Sequence, residues 1–321
     1  MDKLLAGVRV LVTGAGGFVG SHLSRRLVKK GAKVHLLDRM SYVSEKAKRR
    51  LADIWDEVKI YDVDIGDMKA LSQAIEDIKP DKIYHLAAYT NSSRDMENVE
   101  PAVKINFQGT LNLLNALAEG SSLPPYECLV NTSTAEEYGN NPTPFSEEQR
   151  IAPLSPYATS KAAARLFCDM YYKIYNFPIV TLRPFIIYGP HQDPSRFIPQ
   201  VILSCLRGED FEMTKGEQTR DFTYVDDIVE ANLKASLSDK AIGQTINVGT
   251  GEPHSLVEVA TEIISLMGSK IKLKAGALGY RPGEVWRSYG DNSKAYELLG
   301  WKAEIDLREG LRRTISWFKA K

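Results

Sequence analysis

The sequence has few cysteines and no excess charge of either sign. Its three cysteines, Cys128, Cys168 and Cys205, lie far apart and form no CxxC or Cys/His ligand spacing. The pattern therefore predicts neither a disulfide framework nor a metal site, and we expect all three to be core residues. The 41 basic residues are matched by 41 acidic ones, so the charge gives no support to nucleic acid or an anionic membrane as a partner.

Long apolar runs are also absent. No stretch of about eighteen apolar residues could span a bilayer, and residues 1–7 lack the apolar core of a signal peptide. We therefore expect a cytoplasmic protein that acts on a small molecule. The 321 residues suffice for one large α/β domain with a smaller one appended.

The first half of the chain alternates short β-branched runs with longer helical patterns. Strands are predicted at 8–13, 33–38, 58–62, 82–87 and 128–133, and helices at 19–30, 67–78 and 102–119. Such alternation is typical of βαβ units and predicts a doubly wound parallel sheet of the Rossmann type.

A second region is predicted after about residue 180, where prolines and loop-like stretches become more frequent. We expect a first domain over 1–180 and a smaller α/β domain over 181–321. Residues 245–249 have the pattern of a buried strand ending in a glycine turn, so part of the segment around 220–250 is expected to return to the first sheet.

The first predicted strand runs directly into a glycine-rich turn. Gly14, Gly17 and Gly20 have the spacing GxxGxxG and lead into a helical pattern that starts with Phe18 and Val19. Small residues allow a tight turn and a close approach of the backbone to a pyrophosphate at the helix N-terminus. We therefore expect all five residues to contact a dinucleotide cofactor.

Asp38 ends the second predicted strand, where a carboxylate can bind the ribose hydroxyls of the cofactor. A carboxylate there repels the additional phosphate of NADP, so NAD is favoured. Arg39 follows directly and could instead pair with that phosphate, which keeps NADP as the alternative.

Other predicted cofactor contacts lie at the carboxyl ends of later strands, where open α/β sheets bind ligands. They are Asp64, Ile65, Leu86, Ala87 and Ala88.

A tyrosine and a lysine are spaced to share one helix face. Tyr157 and Lys161 lie four residues apart. The ammonium favours the phenolate, which makes proton abstraction from a sugar hydroxyl feasible. Thr134 follows the strand predicted at 128–133, so its hydroxyl is expected at the same end of the sheet.

These motifs, in this order, resemble the extended short-chain dehydrogenases/reductases, in particular the nucleotide-sugar epimerases and dehydratases. The resemblance covers nearly the whole chain and is carried by residues 13–20, 64–65, 85–88, 106–110, 133–139, 155–161, 183–184, 188–190, 220–227, 247–249, 281–283 and 299–301.

The resemblance implies a role for each matched residue. Tyr157 is then the catalytic base, Lys161 supports it and binds the nicotinamide ribose, and Thr134 contacts the sugar hydroxyl. Arg220 and Arg281 match positions that grip the diphosphate of a nucleotide sugar. Two further residues complete the expected site: Asn106 on the cofactor side, and Arg94, whose loop should border the nicotinamide end. The resemblance also implies a homodimer through helices near 103–118 and 157–175.

Three residues after Thr134 bear on which reaction follows oxidation at C4. Glu136 matches the carboxylate that removes the C5 proton in 4,6-dehydratases, and the sequence favours that activity. Ala135 removes the acid or hydroxyl partner usual there, so a 4-epimerase is the alternative. The acid at Glu137 resembles the pattern of the 4-keto-sugar reductases, the third alternative, but we expect this side chain to face solvent.

Two alternatives remain beyond the choice of reaction. Ile186 stands where the family commonly has an asparagine that touches the sugar diphosphate, which leaves the identity of the sugar open. The same fold could also serve an NAD-sensing binding protein without catalytic activity. The combination of Thr134, Tyr157 and Lys161 argues against a pure binder.

Overall fold

The computed structural model describes residues 5–119, 126–281 and 283–320, with residues 40–44 described by their backbone alone. The strands in these ranges are β1 (Arg9–Thr13), β2 (Lys33–Asp38), β3 (Lys59–Asp62), β4 (Lys82–His85), β5 (Cys128–Thr132), β6 (Ile179–Pro184), β7 (Ile186–Tyr188), β8 (Phe211–Met213), β9 (Thr219–Tyr224), β10 (Thr245–Val248), β11 (Pro253–Ser255), β12 (Leu273–Ala275) and β13 (Arg287–Ser288).

The α-helices are α1 (Phe18–Lys29), α2 (Met40–Leu51), α3 (Met68–Ile78), α4 (Val99–Ala102), α5 (Gly109–Ala118), α6 (Pro156–Tyr175), α7 (Phe197–Arg207), α8 (Val225–Ala235), α9 (Leu256–Met267), α10 (Ser293–Leu299) and α11 (Leu307–Lys319).

Seven parallel strands form the main sheet, in the order β10-β6-β5-β4-β1-β2-β3. Helices cover both faces. One apolar cluster includes Leu23 of α1 and Val229 of α8, and the other includes Leu71 of α3 and Leu114 of α5. The predicted doubly wound fold is confirmed. Because the strand order reverses between β1 and β4, their carboxyl ends open a crevice suited to a ligand.

Most predicted strands are found within a residue of their expected bounds, and β4 differs more. It was expected to reach Ala87 but ends at His85. The next two residues turn their N–H groups onto Thr13 of β1: Leu86 N–H donates to its carbonyl at 3.1 Å, and Ala87 N–H to its hydroxyl at 3.2 Å. The chain therefore leaves the sheet early and lines the crevice.

The helix predicted at 102–119 is not regular. It consists of α4, a π-helical segment Val103–Gln108 and α5. The wider turns of the π segment accompany buried polar bonds: Asn106 is fully buried, and its carbonyl accepts from the Thr110 hydroxyl at 2.6 Å. Periodicity alone cannot reveal such an interruption, because its apolar spacing is still close to that of an α-helix.

A smaller part of the fold follows the main sheet. It contains a four-stranded sheet of β7, β9, β11 and β13 and the pair β8 and β12. Its core joins α7, α9 and α11 through residues such as Val201, Ile263 and Leu311. The chain returns to the main sheet with β10, which pairs with β6 from Thr245 to Val248.

The cysteines do not all lie in the core. Cys128 and Cys168 are buried, while Cys205 on α7 is only half-buried. The expectation of a core position is therefore wrong for Cys205.

Candidate active site

A cleft of about 670 Å³ opens at the carboxyl ends of the main strands and extends to the smaller part of the fold. Its lining brings together most of the predicted site. The predicted cofactor residues that line it are Gly14, Gly17, Phe18, Val19, Gly20, Asp38, Arg39, Asp64, Ile65, Leu86, Ala87, Ala88, Tyr157 and Lys161.

The glycine-rich turn packs too tightly for side chains. A Cβ on Gly20 would lie 2.3 Å from the Gly14 carbonyl oxygen, and one on Gly14 would lie 2.6 Å from the Ala87 nitrogen. Gly17 is the N-cap of α1 and has no side chain that could accept from the first N–H groups of the helix. The first turn of the helix carries no acidic residue either. The free N–H groups at this helix end therefore suit a pyrophosphate.

Asp38 is fixed at the adjacent strand end. Its carboxylate accepts from Gly16 N–H at 2.9 Å and from Arg39 N–H at 2.8 Å. Burial raises the pKa of this carboxyl group, while the two N–H donors act in the opposite direction. The Arg39 guanidinium lies 3.6 Å from Asp64. The residues of this end of the cleft thus fit the adenosine half of a dinucleotide.

Asn106 is fully buried and is not among the residues that line the cleft. Its side-chain oxygen accepts from Tyr89 N–H at 2.7 Å, and its NH₂ group donates to the Tyr89 carbonyl at 3.0 Å and the Ser160 hydroxyl at 2.9 Å. Asn106 therefore joins the loop after β4 to α6, and its contact with the cofactor stays a prediction.

Tyr157 lies in the first turn of α6, which begins at Pro156 and is capped by Ser155. Burial raises the pKa of the Tyr157 phenol, the Glu136 carboxylate raises it further, and a hydrogen bond with Thr134 lowers it. One turn on, burial lowers the pKa of the Lys161 ammonium to about 8. Tyr157, Lys161 and Thr134 thus face the same cleft.

Glu136 projects from a 3₁₀ turn, Ala135–Tyr138. Thr134 is the N-cap of this turn, and its hydroxyl accepts from Glu136 N–H at 3.2 Å. The side chain is open to the cleft, yet the protein around it is dense enough to raise the pKa of the carboxyl group by desolvation. Arg281, Arg220 and Arg196 lower the pKa. The Glu136 carboxylate therefore lies close enough to Tyr157 and to these three arginines to interact with them electrostatically.

Arg220 and Arg281 converge on one carboxylate rather than on the cleft wall. Arg220 donates to Glu284 at 2.6 Å and Arg281 at 3.1 Å. Arg94 lies against Gly283, where an added Cβ would come within 2.7 Å of its guanidinium. The three predicted substrate arginines thus lie together beside residues 281, 283 and 284. Pro282 lies outside the described residues.

Arg196 is a cleft residue that the sequence interpretation missed. It lines the cleft, donates to the Thr90 carbonyl at 2.8 Å, and lowers the pKa of both Glu136 and Tyr157. It is the N-cap residue of α7. No spacing ties it to Tyr157 in the sequence, so only its place after the Tyr188-Gly189-Pro190 motif could have drawn attention to it.

Glu137 is fully buried, so the expectation that it faces solvent is wrong. Its carboxylate pairs with Arg165 at 2.9 Å and Arg183 at 2.7 Å. Two guanidinium groups compensate for the loss of hydration, which makes a fully buried carboxylate tolerable here.

The side of the cleft formed by the smaller part of the fold is largely apolar. Ile186 lines it and is 37% exposed, near Phe197, Ile198 and Phe222. The Ile186 side chain has no polar atom, so it cannot make the hydrogen bond that an asparagine side chain would make with a ligand. This wall therefore suits the ring or a substituent of a sugar more than a charged group.

Two negative findings concern the residues that the structure describes. Within 5–119, 126–281 and 283–320, no helix combines the length and apolar character needed to cross a bilayer. Over the same ranges, no group of three or more His, Cys, Asp or Glu side chains is arranged to hold a metal ion.

A parallel sheet with a glycine-rich turn at its switch point, together with a Tyr-Lys pair and a hydroxyl in one cleft, defines a Rossmann-type short-chain dehydrogenase/reductase. Residues 11–314 match the family model described as GDP-mannose 4,6 dehydratase. The chain belongs to the NAD-dependent nucleotide-sugar epimerase/dehydratase family of extended short-chain dehydrogenases/reductases.

Similar proteins span more than one activity. The chain is 34% identical to a UDP-glucose 4-epimerase of Mycolicibacterium smegmatis, over 98% of this chain and 99% of the relative. It is 32% identical to the human dTDP-D-glucose 4,6-dehydratase, over 97% and 90%. A Thermus thermophilus UDP-glucose 4-epimerase solved with NAD superposes with a TM-score of 0.87 at 30% identity, covering 97% of this chain and 99% of that one. The family is thus established, and the particular reaction is not.

Proposed function

We propose that the protein is an NAD-dependent nucleotide-diphosphate-sugar 4,6-dehydratase that works through a 4-keto intermediate. The observation that carries this proposal is Glu136, a carboxylate open to the cleft and electrostatically coupled to Tyr157. Oxidation at C4 needs only Tyr157, Lys161 and Thr134. A carboxylate beside the reacting ring adds the base that elimination requires.

The cleft residues divide the oxidation between them. Tyr157 takes the proton of the C4 hydroxyl, while Thr134, hydrogen-bonded to the phenol, orients that hydroxyl. The Lys161 ammonium stabilises the phenolate electrostatically. NAD, when bound beside Tyr157 and Lys161, would supply the acceptor for the C4 hydride and the donor of that hydride to C6.

Elimination then falls to Glu136. The new C4 ketone acidifies the C5 proton, and the carboxylate removes it. The electron pair of the C5–H bond forms the C5–C6 double bond, and the C6 hydroxyl leaves as water with a proton from the Glu136 carboxyl group. The double bond is then saturated by a hydride at C6 and a solvent-derived proton at C5, which gives the 4-keto-6-deoxy sugar. Because Ala135 is apolar and buried, the same carboxyl group must serve as base and then as acid. The desolvation that raises the pKa of this carboxyl group favours its role as an acid.

A 4-epimerase is the second candidate. Ala135 favours it, since this apolar side chain stands where the dehydratases of the family usually carry an acid or a hydroxyl, and a 34% identical relative is named as such an epimerase. A 4-keto-sugar reductase is less well supported: it was suggested by Glu137, whose carboxylate is used inside the protein. A binding protein without catalytic activity is not favoured either, because it would not need a base, its supporting ammonium and a hydroxyl in one cleft, as Tyr157, Lys161 and Thr134 provide.

The proposed ligands follow from the two ends of the cleft. NAD is preferred over NADP because the Asp38 carboxylate, held at the end of β2 by Gly16 N–H, would repel the additional phosphate. A nucleotide sugar would lie with its sugar beside Tyr157 and its diphosphate toward Arg220 and Arg281, where it competes with Glu284. We propose UDP-, dTDP-, GDP- and CDP-sugars as the set to screen by thermal shift.

Reaction in deuterium oxide separates the two leading activities. A dehydratase yields a 4-keto-6-deoxy product with deuterium at C5. An epimerase inverts C4 without exchange, and that outcome with every sugar of the screen would overturn the proposal. A reductase is recognised by net consumption of the reduced cofactor.

Glu136→Gln is expected to lower the dehydration rate by roughly a hundredfold or more, because the amide cannot accept the C5 proton. Oxidation at C4 should persist, so reduced cofactor accumulates on the enzyme and is measured by its absorbance. Glu148→Gln makes the same chemical change at an exposed position and serves as the matched control. Unchanged dehydration by the Glu136 variant would show that the base lies elsewhere.

A further inference from the structure

A cluster of buried charges lies directly behind the catalytic side chains. Its centre is the Glu137 carboxylate, which is fully buried. One carboxylate oxygen accepts from Arg165 Nε at 2.9 Å, from Arg183 Nη2 at 2.7 Å and from Arg183 Nε at 3.1 Å. The other accepts from the Ser133 hydroxyl. Every oxygen of the carboxylate is therefore engaged within the protein.

The partners of Glu137 connect three elements of the site. Glu137 sits in the 3₁₀ turn, directly after Glu136 and three residues after Thr134. Arg165 is on α6, one turn beyond Lys161 and two turns beyond Tyr157, and so shares their side of the helix. Arg183 is on β6 and also donates to the Tyr138 hydroxyl at 2.8 Å. A single carboxylate thus ties the turn to the helix.

We propose that Glu137 is a positioning residue that fixes the turn carrying Thr134 and Glu136 against the helix carrying Tyr157 and Lys161. Its own side chain is shielded from the cleft, so it acts through Arg165 and through its charge rather than by touching a ligand. The inference rests on the proposed oxidation by Tyr157 and names a further residue on which that step depends.

The charge balance of the cluster makes the role electrostatic as well as geometric. The Arg165 and Arg183 side chains are 9% and 3% exposed, and Asp169, 2.5 Å from Arg165, is their other carboxylate. Removing the charge of Glu137 leaves two buried cations facing one anion. The Glu137 charge also raises the pKa of Lys161 and of Tyr157. A neutral side chain at 137 therefore lowers both pKa values.

The test uses Glu137→Gln in the NAD-loaded protein, with the nucleotide sugar that the wild type oxidises from a panel of UDP-, dTDP-, GDP- and CDP-glucose. The amide keeps the shape and one acceptor oxygen but removes the charge. We expect kcat to fall by about 10- to 100-fold with KM within about threefold, as for a misplaced catalytic group. Glu137→Asp, which restores the charge on a shorter stem, should recover part of kcat.

A second readout does not depend on turnover. The side-chain ¹³C shift of Lys161 is titrated with pH by NMR of lysine-labelled protein in the wild type and in Glu137→Gln, each against its own Lys161→Met counterpart, so the difference reports Lys161 alone. We expect the pKa of Lys161, about 8 in the wild type, to be lower in the Gln variant. If the wild type oxidises no sugar of the panel, the proposed function fails, and this titration alone decides the inference.

Asp227→Asn is the control for a merely structural role. Asp227 is another buried carboxylate, which accepts from Glu304 N–H and Ile305 N–H and does not line the cleft. The Asp227→Asn variant should therefore lower thermal stability and leave kcat unchanged. If Glu137→Gln does not fold, Arg165→Gln replaces it, because that variant leaves the Glu137–Arg183 pair intact. A kcat within twofold of wild type in the folded variant, or an unshifted Lys161 titration in Glu137→Gln, overturns the proposal.

Discussion

Tyr157 and Lys161 both resist the charged state that catalysis requires. Burial raises the pKa of the phenol, so Tyr157 is neutral near pH 7 in the free cleft; it lowers the pKa of the Lys161 ammonium to about 8, so that group still carries most of its charge there. A cationic nicotinamide ring beside the phenol would shift Tyr157 toward the phenolate. The base is thus expected to become effective only once the oxidised cofactor is bound.

Tyr157→Phe is therefore expected to reduce C4 oxidation by at least about a hundredfold, since the ring remains and the proton acceptor is lost. Cofactor affinity, measured by calorimetry, should stay within a few fold, and the protein should fold normally. Tyr175→Phe, at an exposed position on the same helix, is the matched control. Wild-type turnover by the Tyr157 variant would refute the mechanism.

Two neighbouring residues of one turn show which side-chain environments the sequence could predict and which it could not. Glu136 and Glu137 are adjacent carboxylates, yet one opens to the cleft and the other is buried. The motif that follows β5 identified the first. The environment of the second depends on Arg165 and Arg183, which lie 28 and 46 residues away in sequence. No local pattern encodes such partners, and the same reason explains why Arg196 was missed.

At the scale of elements, the sequence predicted best where one physical constraint dominates. The glycine-rich turn has to be small, and alternating strands and helices have to form βαβ units, so both were placed correctly. The early end of β4 and the π-helical segment were not predicted. Both involve hydrogen bonds with another part of the chain. Thr13 accepts from the N–H groups of residues 86–87, and Asn106 accepts from Tyr89 N–H and donates to the Ser160 hydroxyl.

Gly20→Ala tests the packing of the glycine-rich turn on α1. The added methyl group would lie 2.3 Å from the Gly14 carbonyl oxygen and 2.9 Å from Ala15 Cα, both backbone atoms that cannot move independently. We expect unfolding free energy to fall by about 2 kcal/mol or more and NAD binding to be lost. Denaturant titration and calorimetry measure the two effects.

Gly279→Ala is the matched control for this substitution, because its added methyl group meets nothing within 4 Å and the backbone there needs no special conformation. It should change stability by no more than about 0.5 kcal/mol. Equal behaviour of the two variants would show that close packing at Gly20 is unimportant.

At the scale of the whole molecule, one exposed apolar surface suggests an assembly. It is formed by α4, the π-helical segment and α6, which pack on one another. Its large apolar residues are Val99, Val103, Leu166, Phe167 and Ile174. The surface lies on the two helices through which a dimer was expected, and pairing it with a second copy would give a four-helix contact.

Leu166→Asp should convert this dimer to a monomer. Leu166 is 52% exposed, and an uncompensated charge buried at a helix contact would raise the dissociation constant by about a hundredfold or more. Light scattering after size exclusion measures the mass. Leu206→Asp, on the exposed side of α7, should leave the mass of the wild type unchanged. A monomeric wild type would refute the expectation.

His85 links the pH dependence of stability to the centre of the main sheet. It is fully buried between the Thr13 hydroxyl at 2.7 Å and the Thr110 hydroxyl at 2.9 Å, and burial lowers its pKa from 6.5 to about 3. Between these pH values the unfolded chain binds a proton that the folded protein excludes. Stability is therefore lost as pH falls from about 6.5 toward 3, by up to about 1.4 kcal/mol per pH unit.

His85→Gln removes this titration. Its unfolding free energy should be lower at pH 7, because the hydroxyl partners are satisfied less well, and should fall less steeply than that of the wild type between pH 6.5 and 4.5. Urea titrations at several pH values give both slopes. Parallel slopes would show that His85 does not govern the acid sensitivity.

The return of β10 to the main sheet has a consequence for synthesis on the ribosome. β6 ends at Pro184, and β10, which pairs with its outer edge, begins at Thr245. One edge of this fully buried strand therefore stays unpaired until residues 245–248 have been synthesised. At about 5–20 residues per second, that interval lasts roughly 3–12 s. During it the nascent chain carries an unpaired apolar strand edge, the kind of surface on which chaperones act and aggregation begins.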